Sequence, residues 1–458
     1  MNIVLISTYD LGRQPFGLSS PAAWLARLGH DVRCLDLAVE RLDFAAVAGA
    51  NLIAFHIPMH TATRIAAGLI GRVQKINPHT HLCFYGLYAP LNETYLRNLG
   101  AHTIIGGEFE EGLARLVERL AANGSRPPAQ SEEPIISLAR QAFIVPDRSG
   151  LPALDKYAFV MQGPTMGRTT GYTEATRGCK HICRHCPVVP VYKGQFRVVQ
   201  RDVVLADIRA QVHAGAQHIT FGDPDFFNGP GHARAIVKLL HQEFPDVTYD
   251  VTIKIEHLLK YARYLPVLKE SGCLFITSAV ESNDQRVLDI LQKGHTVGDF
   301  VEAVRLCREN GLLLNPTFVT FTPWTTLESY RDLLRLIAKL DLIDNILPIQ
   351  YAIRLLIPAG SRLLELDEIQ ELVEAFDEQK LCYPWTHQDL HVDRLFAAVM
   401  SIVKSGQDRS ETRREIFNRI WELAVDATAP AIPKRREMER VQDAGRQDIP
   451  YLSEPWYC

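Results

Sequence analysis

Three times in this chain a helical pattern runs into a glycine and a strand-like run follows at once. His213-Ala214-Gly215 precedes 217–221, Glu270-Ser271-Gly272 precedes 274–277, and Glu309-Asn310-Gly311 precedes 312–318. Glycine supplies the left-handed C-cap that turns a helix back toward the next strand. Three further apolar runs, 173–176, 248–254 and 347–356, complete six strands with helices between them across 171–365. Right-handed crossovers curl such a series into a partial (β/α)6 barrel, whose site lies at the strand C-terminal ends.

Residues 1–122 alternate differently. Strands are expected at 2–7, 31–35, 52–57, 81–85 and 103–105, and helices at 21–28 (closed by Gly29), 64–76 and 110–121. The alternation predicts a Rossmann-like domain with a parallel sheet, binding ligands beyond its strand ends. A linker, 123–170, starts polar and proline-rich, from Asn123 to Pro134, and then crosses in extended form. Residues 366–458 read as a helical C-terminal region, with helices at 367–379, 391–404 and 411–425 and a tail, 449–458, without periodicity. The fold class is α/β throughout.

The chain has 458 residues, 47% of them hydrophobic, enough to bury large cores. A net charge of −4 and no long basic run argue against nucleic-acid or membrane partners. The opening residues lack a basic segment, so no signal peptide is expected. The apolar stretch 333–357 is interrupted by Arg335, Lys339, Asp341, Asp344 and Arg354, which disfavours a membrane span. The expected localisation is cytoplasmic. Of nine cysteines, three are clustered, which favours metal binding over a disulfide framework in that compartment.

The cluster is Cys179-Lys180-His181-Ile182-Cys183-Arg184-His185-Cys186, directly after the first barrel strand. Thiolates are soft ligands, and three of them hold three corners of a [4Fe–4S] cube, leaving the fourth iron open to chelate a small molecule. Lys180, Arg184 and His185 are expected to ease thiol deprotonation. The competing assignment is a zinc knuckle with His181 or His185 as a distant ligand.

This C-x3-C-x2-C loop resembles the signature of the radical S-adenosylmethionine (SAM) superfamily. The resemblance implies that SAM chelates the open iron of Cys179, Cys183 and Cys186 through its amino and carboxylate groups. One electron then cleaves a carbon–sulfur bond, usually releasing a 5′-deoxyadenosyl radical. It places His185 near the adenine, where the family usually carries an aromatic residue. Gly222 and Asp223 resemble the amino-group loop, and Lys254 follows the third strand as a charge facing ligand. Glu281 and Ser282 resemble the fourth-strand acidic position, with a helix N-terminal acid as the alternative for Glu281. Arg354 reads as a partner of the SAM carboxylate or as half of a buried ion pair.

Residues 1–122 resemble the cobalamin-binding domain that precedes many such barrels. The candidates for cofactor contact are Tyr9, Asp10, Gly86, Tyr88, Gly107 and Glu108, in the loops after the strands. Gly86, Gly106 and Gly107 are small enough to let the backbone approach the nucleotide tail of the cofactor. The D-x-H-x-x-G motif that supplies a cobalt ligand is absent, since Asp10-Leu11-Gly12 holds no histidine. With cobalamin, the resemblance implies methylation of an unactivated carbon.

Over its whole length the chain looks most like radical SAM (seleno)proteins with Cys-Cys-Ala-Glu-Pro or Cys-selenocysteine-Ala-Glu-Pro tails. The carriers include Thr8-Tyr9-Asp10-Leu11-Gly12, Pro58-Met59-His60-Thr61-Ala62, Arg354-Leu355-Leu356-Ile357-Pro358 and Glu454-Pro455-Trp456-Tyr457-Cys458. Cys458 is then expected to be catalytic, with a UGA-encoded selenocysteine after it. Such a pair binds a soft atom or delivers substrate. The cobalamin-free alternative is transfer of a 3-amino-3-carboxypropyl group to arsenic, selenium or sulfur; a further one is an iron–sulfur sensor or electron carrier. Methylthiolation of tRNA is disfavoured, because the N-terminal segment has only Cys34 and Cys83 for a second cluster. Expected partners are a small-molecule substrate and an electron donor such as flavodoxin or ferredoxin.

Overall fold

A computed structural model describes residues 1–122, 133–163, 166–428 and 449–453. The N-terminal strands are β1 (Asn2–Ser7), β2 (Asp31–Asp36), β3 (Leu52–His56), β4 (His81–Tyr85), β5 (Thr103–Gly107) and β6 (Ile136–Ser137). They form one parallel sheet in the order β2-β1-β3-β4-β5-β6. The order reverses between β1 and β3, where a crevice opens beyond the strand ends. Helices cover both faces, each over its own apolar cluster.

The first helix, Phe16–Arg27, begins before the expected residue 21 and carries Pro21 inside it. Proline removes the N–H that the Gly17 carbonyl would accept. The Tyr85 hydroxyl donates to that carbonyl instead, at 2.7 Å. A tertiary hydrogen bond thus lets the helix run through its proline. Two short helices, Phe44–Gly49 and Glu93–Asn98, have too few turns to leave a legible period.

The second sheet is built from β7 (Phe159–Met161), β8 (Gly167–Thr173), β11 (His218–Phe221), β12 (Thr248–Thr252), β13 (Cys273–Glu281), β14 (Leu313–Phe318) and β15 (Tyr451–Leu452); a separate ribbon pairs β9 (Thr176–Gly178) with β10 (Phe196–Val198). Strands β8, β11, β12, β13 and β14 are parallel neighbours around one large core. Antiparallel β7 extends the β8 edge.

Four expectations are corrected. The first barrel strand lies at Gly167–Thr173 rather than 173–176, and Thr176 starts the β9–β10 ribbon. The sixth strand, 347–356, is not continuous. Its start is a 3-10 turn at Pro348–Ala352, and one parallel bridge, Phe321 to Arg354, is what remains of it. The physical reason is a long-range hydrogen bond: the Gln350 side chain accepts from the Phe318 N–H at 2.9 Å, taking a backbone position that a sixth strand would fill. The helix expected at 367–379 stops at Gln370. The chain then doubles back through Val373–Trp385 and Asp377–Cys382 bridges, with Trp385 buried in a satellite apolar cluster. Finally, the tail is not wholly irregular, because β15 pairs antiparallel with β7. The Asn315 amide on β14 donates to the Pro450 carbonyl at 3.3 Å, so this segment joins both edges of the open barrel. The helices Leu390–Asp408 and Arg413–Thr428 pack on the outside of the β14 side. Among the described residues, no helix is long and apolar enough to cross a membrane.

Candidate active site at the barrel mouth

The cysteine loop leaves β9 at Gly178, whose φ of +74° is left-handed. A Cβ there would lie 2.3 Å from the Tyr192 ring and 2.6 Å from the Gln195 carbonyl, so only glycine permits this turn. The loop is then tied down by the barrel. Asn228 accepts from the Lys180 N–H at 3.3 Å and donates to the Gly178 carbonyl at 3.2 Å. Arg362 donates to the Ile182 carbonyl at 2.9 Å, and the Arg184 N–H donates to Leu291 at 3.0 Å.

Cys179 and Cys183 are buried and Cys186 is half-buried. Burial pushes the Cys179 thiol up to about 11 and that of Cys186 to about 12, so thiolates form here with a cation beside them. Two of the three expected helpers do not supply it. Lys180 lies over the Tyr261 ring, and the Arg184 guanidinium donates to the Ile290 carbonyl. The cations that do face the thiols come from far along the chain. The Lys254 Nζ is 3.7 Å from the Cys183 sulfur, and Lys293 is buried with its charge favoured first by Glu281 and then by Cys183 and Cys186. Sequence separation hides such partners, although Lys254 follows a strand end.

Glu281 ends β13 with φ +70°, rare for a side-chain-bearing residue and a marker of functional strain. Its carboxylate accepts from Lys293 at 3.1 Å and meets His185 Nε2 at 3.0 Å. Burial works the other way, yet Lys293 and His185 hold this carboxyl far below the usual range. Gly222 sits against the Tyr172 hydroxyl, where a Cβ would lie 1.8 Å away. Asp223 accepts from the Ala175 N–H at 2.9 Å and the Thr176 hydroxyl at 2.5 Å. It therefore fixes the turn between β8 and β9, and burial raises its carboxyl to about 7. Ser282 accepts from the Asp284 N–H at 3.0 Å. The Arg354 guanidinium pairs with Asp393 at 2.6 Å, donates to the Trp385 carbonyl at 2.9 Å and stacks over the Trp385 ring at 3.8 Å. The ion pair it makes is only half-buried.

A second group was not foreseen. Asp225, wholly buried, lies 2.5 Å from His257 Nδ1 and 3.5 Å from His181 Nε2. Although burial opposes it, the two histidines bring this carboxyl down to about 2. Cys179, His181 and Asp225 offer ligand atoms within 4.8 Å of one another.

Above the barrel mouth, a cavity of about 210 Å³ lies between the two sheets. Asp10, Gly86 and Gly107 line it from the N-terminal loops, and Tyr172, Glu174, Gly178 and Gly222 from the barrel. Tyr9, Tyr88 and Glu108 are not on its wall. Glu108 instead accepts from Tyr192 at 3.1 Å and faces Arg177 at 3.5 Å. Gly107 has φ +75°, and a Cβ on it would lie 2.2 Å from the Ser137 carbonyl; one on Gly106 would lie 2.5 Å from Pro90. His56 lines the cavity with Nδ1 buried and unpartnered among the described residues, and burial lowers its ring to about 3. Cys458 lies outside the described residues.

Residues 173–337 match the family model of the radical SAM superfamily. The hopanoid C-3 methylase of Methylococcus capsulatus is 23% identical over 328 residues, covering 68% of this chain and 62% of that protein. The cobalamin-dependent SAM radical enzyme OxsB, solved with aqua-cobalamin and SAM bound, superimposes with a TM-score of 0.70 at 14% identity, over 88% of this chain and 66% of OxsB. The radical SAM methyltransferase TsrM of Kitasatospora setae, solved with cobalamin and a [4Fe–4S] cluster, gives 0.58 at 17% identity, over 74% of this chain and 73% of TsrM. At these identities the two structures establish a shared fold, and the chain spans just under two thirds of the methylase and of OxsB.

Proposed function

We propose that this chain, a radical SAM enzyme, cleaves SAM reductively at a [4Fe–4S] cluster held by Cys179, Cys183 and Cys186 and methylates a small molecule with the help of cobalamin. The observation that carries the reading is a convergence. Three thiols, two buried ammonium groups and the strained Glu281 meet at one barrel end, next to a cavity shared with the Rossmann-like loops.

The donor set suits the cluster. Its thiolates add negative charge to a buried site, and Lys254 and Lys293 supply the opposite sign. The cavity wall offers polar atoms to a cofactor rich in amides, of which it would take only a part. His56 Nδ1 and Arg13 Nε are buried at its wall without hydrogen-bond partners among the described residues. Asp10, Gly86 and Gly107 are the N-terminal residues that would hold cobalamin there. When bound, the cluster supplies the electron that breaks a carbon–sulfur bond of SAM, and cobalamin supplies a carrier for the methyl group.

The protein side chains orient and insulate. Glu281, pinned by Lys293 and His185, would accept from the ribose or amino group of SAM. Asp223 braces the β8–β9 turn that launches the cysteine loop. Tyr172 and Gly222 close the floor of the cavity.

A second reading, transfer of the 3-amino-3-carboxypropyl group of SAM to a soft atom without cobalamin, is favoured by one observation. Gly106, expected to admit the nucleotide tail of cobalamin, packs against Pro90 and is not on the cavity wall. Anaerobic reconstitution separates the readings. Incubation with SAM and dithionite should yield 5′-deoxyadenosine, and the isolated protein should take up cobalamin visible in its absorption spectrum. 5′-Methylthioadenosine from cobalamin-free protein would select the second reading. Iron and sulfide retained after all three loop cysteines become alanine would end both.

A further inference from the structure

We propose that Lys254 raises the reduction potential of the cluster through the Cys183 sulfur, and that Glu256 partly cancels it. The inference rests on the cluster assignment above and goes beyond it.

Lys254 follows β12 and begins the helix Ile255–Lys260. It is 7% exposed, and a buried ammonium needs an opposite charge. The other buried lysine of the site, Lys293, has one in Glu281 at 3.1 Å. Lys254 does not. Its nearest carboxylate, Glu256, stands 3.9 Å away and keeps 36% of its side-chain surface in solvent. The Cys183 sulfur is closer, at 3.7 Å.

The surroundings hold this arrangement. Glu256 also meets His181 Nδ1 at 3.5 Å, which ties it to the cysteine loop. Gly294, at φ +72°, leaves room for both side chains; a Cβ there would lie 3.0 Å from Glu256 Oε2 and 3.9 Å from Lys254 Nζ. Lys254, Glu256 and the Cys183 thiol therefore form a graded series: a buried cation between a thiol and a half-solvated acid.

Hydrogen bonds to cluster sulfurs and local charge are established levers on such potentials. Uptake of one electron adds a negative charge to the cube. The Lys254 ammonium stabilises that charge and raises the potential. Glu256 opposes it, more weakly because water screens it.

The test uses the full chain, reconstituted anaerobically without SAM, with one electron per cluster supplied by dithionite and the reduced cluster counted by its electron paramagnetic resonance signal. Lys254→Met should move the midpoint to more negative potential, by the equivalent of about a tenfold change in the one-electron equilibrium, about 59 mV. Glu256→Gln should move it in the positive direction. Unchanged midpoints, or shifts of one sign in both variants, would overturn the proposal. If Lys254→Met fails to hold iron, Glu256→Gln decides alone: a positive shift supports the inference and no shift ends it. Loss of SAM binding in Lys254→Met at an unchanged midpoint would make Lys254 a SAM contact and also overturn it. A wild-type chain that builds no cluster fails earlier, at the proposed function itself.

Discussion

The guanidinium of Arg177 forks onto the carboxylate of Glu110, at 2.6 and 2.8 Å, across the junction between the two sheets. Arg177 belongs to β9, immediately before Gly178 and the cysteine loop; Glu110 opens the helix Phe109–Ala121 of the N-terminal domain. Both are buried, Glu174 adds a third contact at 2.6 Å, and the rings of Phe16, Phe109 and Phe143 surround the cation. Arg177 thus ties the start of the cysteine loop to the N-terminal domain.

Replacing Arg177 with methionine removes the cation and leaves Glu110 buried. Breaking a buried pair in this way costs about 3–5 kcal/mol. Chemical denaturation of the metal-free protein should show that loss, and Arg177→Met with Glu110→Gln should recover part of it. A single variant as stable as wild type would mean that water reaches the junction.

Gly178→Ala would force a Cβ into the Tyr192 ring and the Gln195 carbonyl. Overpacking of this kind costs about 1–3 kcal/mol, concentrated at the start of the cysteine loop. The expected result is a normal far-ultraviolet dichroism spectrum with reduced iron and sulfide after reconstitution. Wild-type loading would show that the loop tolerates the shift.

Asp10 carries a pH signature. Burial, partly offset by Arg13, raises its carboxyl from 3.8 to about 7. Well below pH 3.8 the group is protonated in both states and contributes nothing. Between pH 4 and 7 the unfolded chain releases the proton while the folded chain keeps it, so stability falls. Above 7 the penalty is constant, about 4 kcal/mol at most. Asp10→Asn should therefore stabilise the cofactor-free protein increasingly from pH 4.5 to 7.5, as read by urea unfolding. An equal effect at both pH values would contradict the assignment.

Tyr85→Phe strands the Gly17 carbonyl, because Pro21 brings no N–H to it. A buried acceptor left unpaired costs about 1–3 kcal/mol. Pro21→Ala supplies the missing donor, so the tyrosine change should cost less in that background. Additive effects in the double-mutant cycle would argue that the two residues do not share the carbonyl.

The sequence determined whatever repeats over short distances. Strand alternation, helix period and the glycines closing 213–215, 270–272 and 309–311 laid out both sheets, and the cysteine spacing marked the loop. Only tertiary structure decided which charges share a pocket. Arg354 meets Asp393, Arg177 meets Glu110, and Lys254 meets Cys183, in each case across a long stretch of chain. Lys180 and Arg184, nearest to the thiols in sequence, turn to Tyr261 and Ile290. The sixth strand and the helix past Gln370 were lost for the same reason: distant side chains and apolar clusters overrode local propensity. Propensity is a fraction of a kcal/mol per residue, whereas an unpaired buried charge or polar group costs several times more.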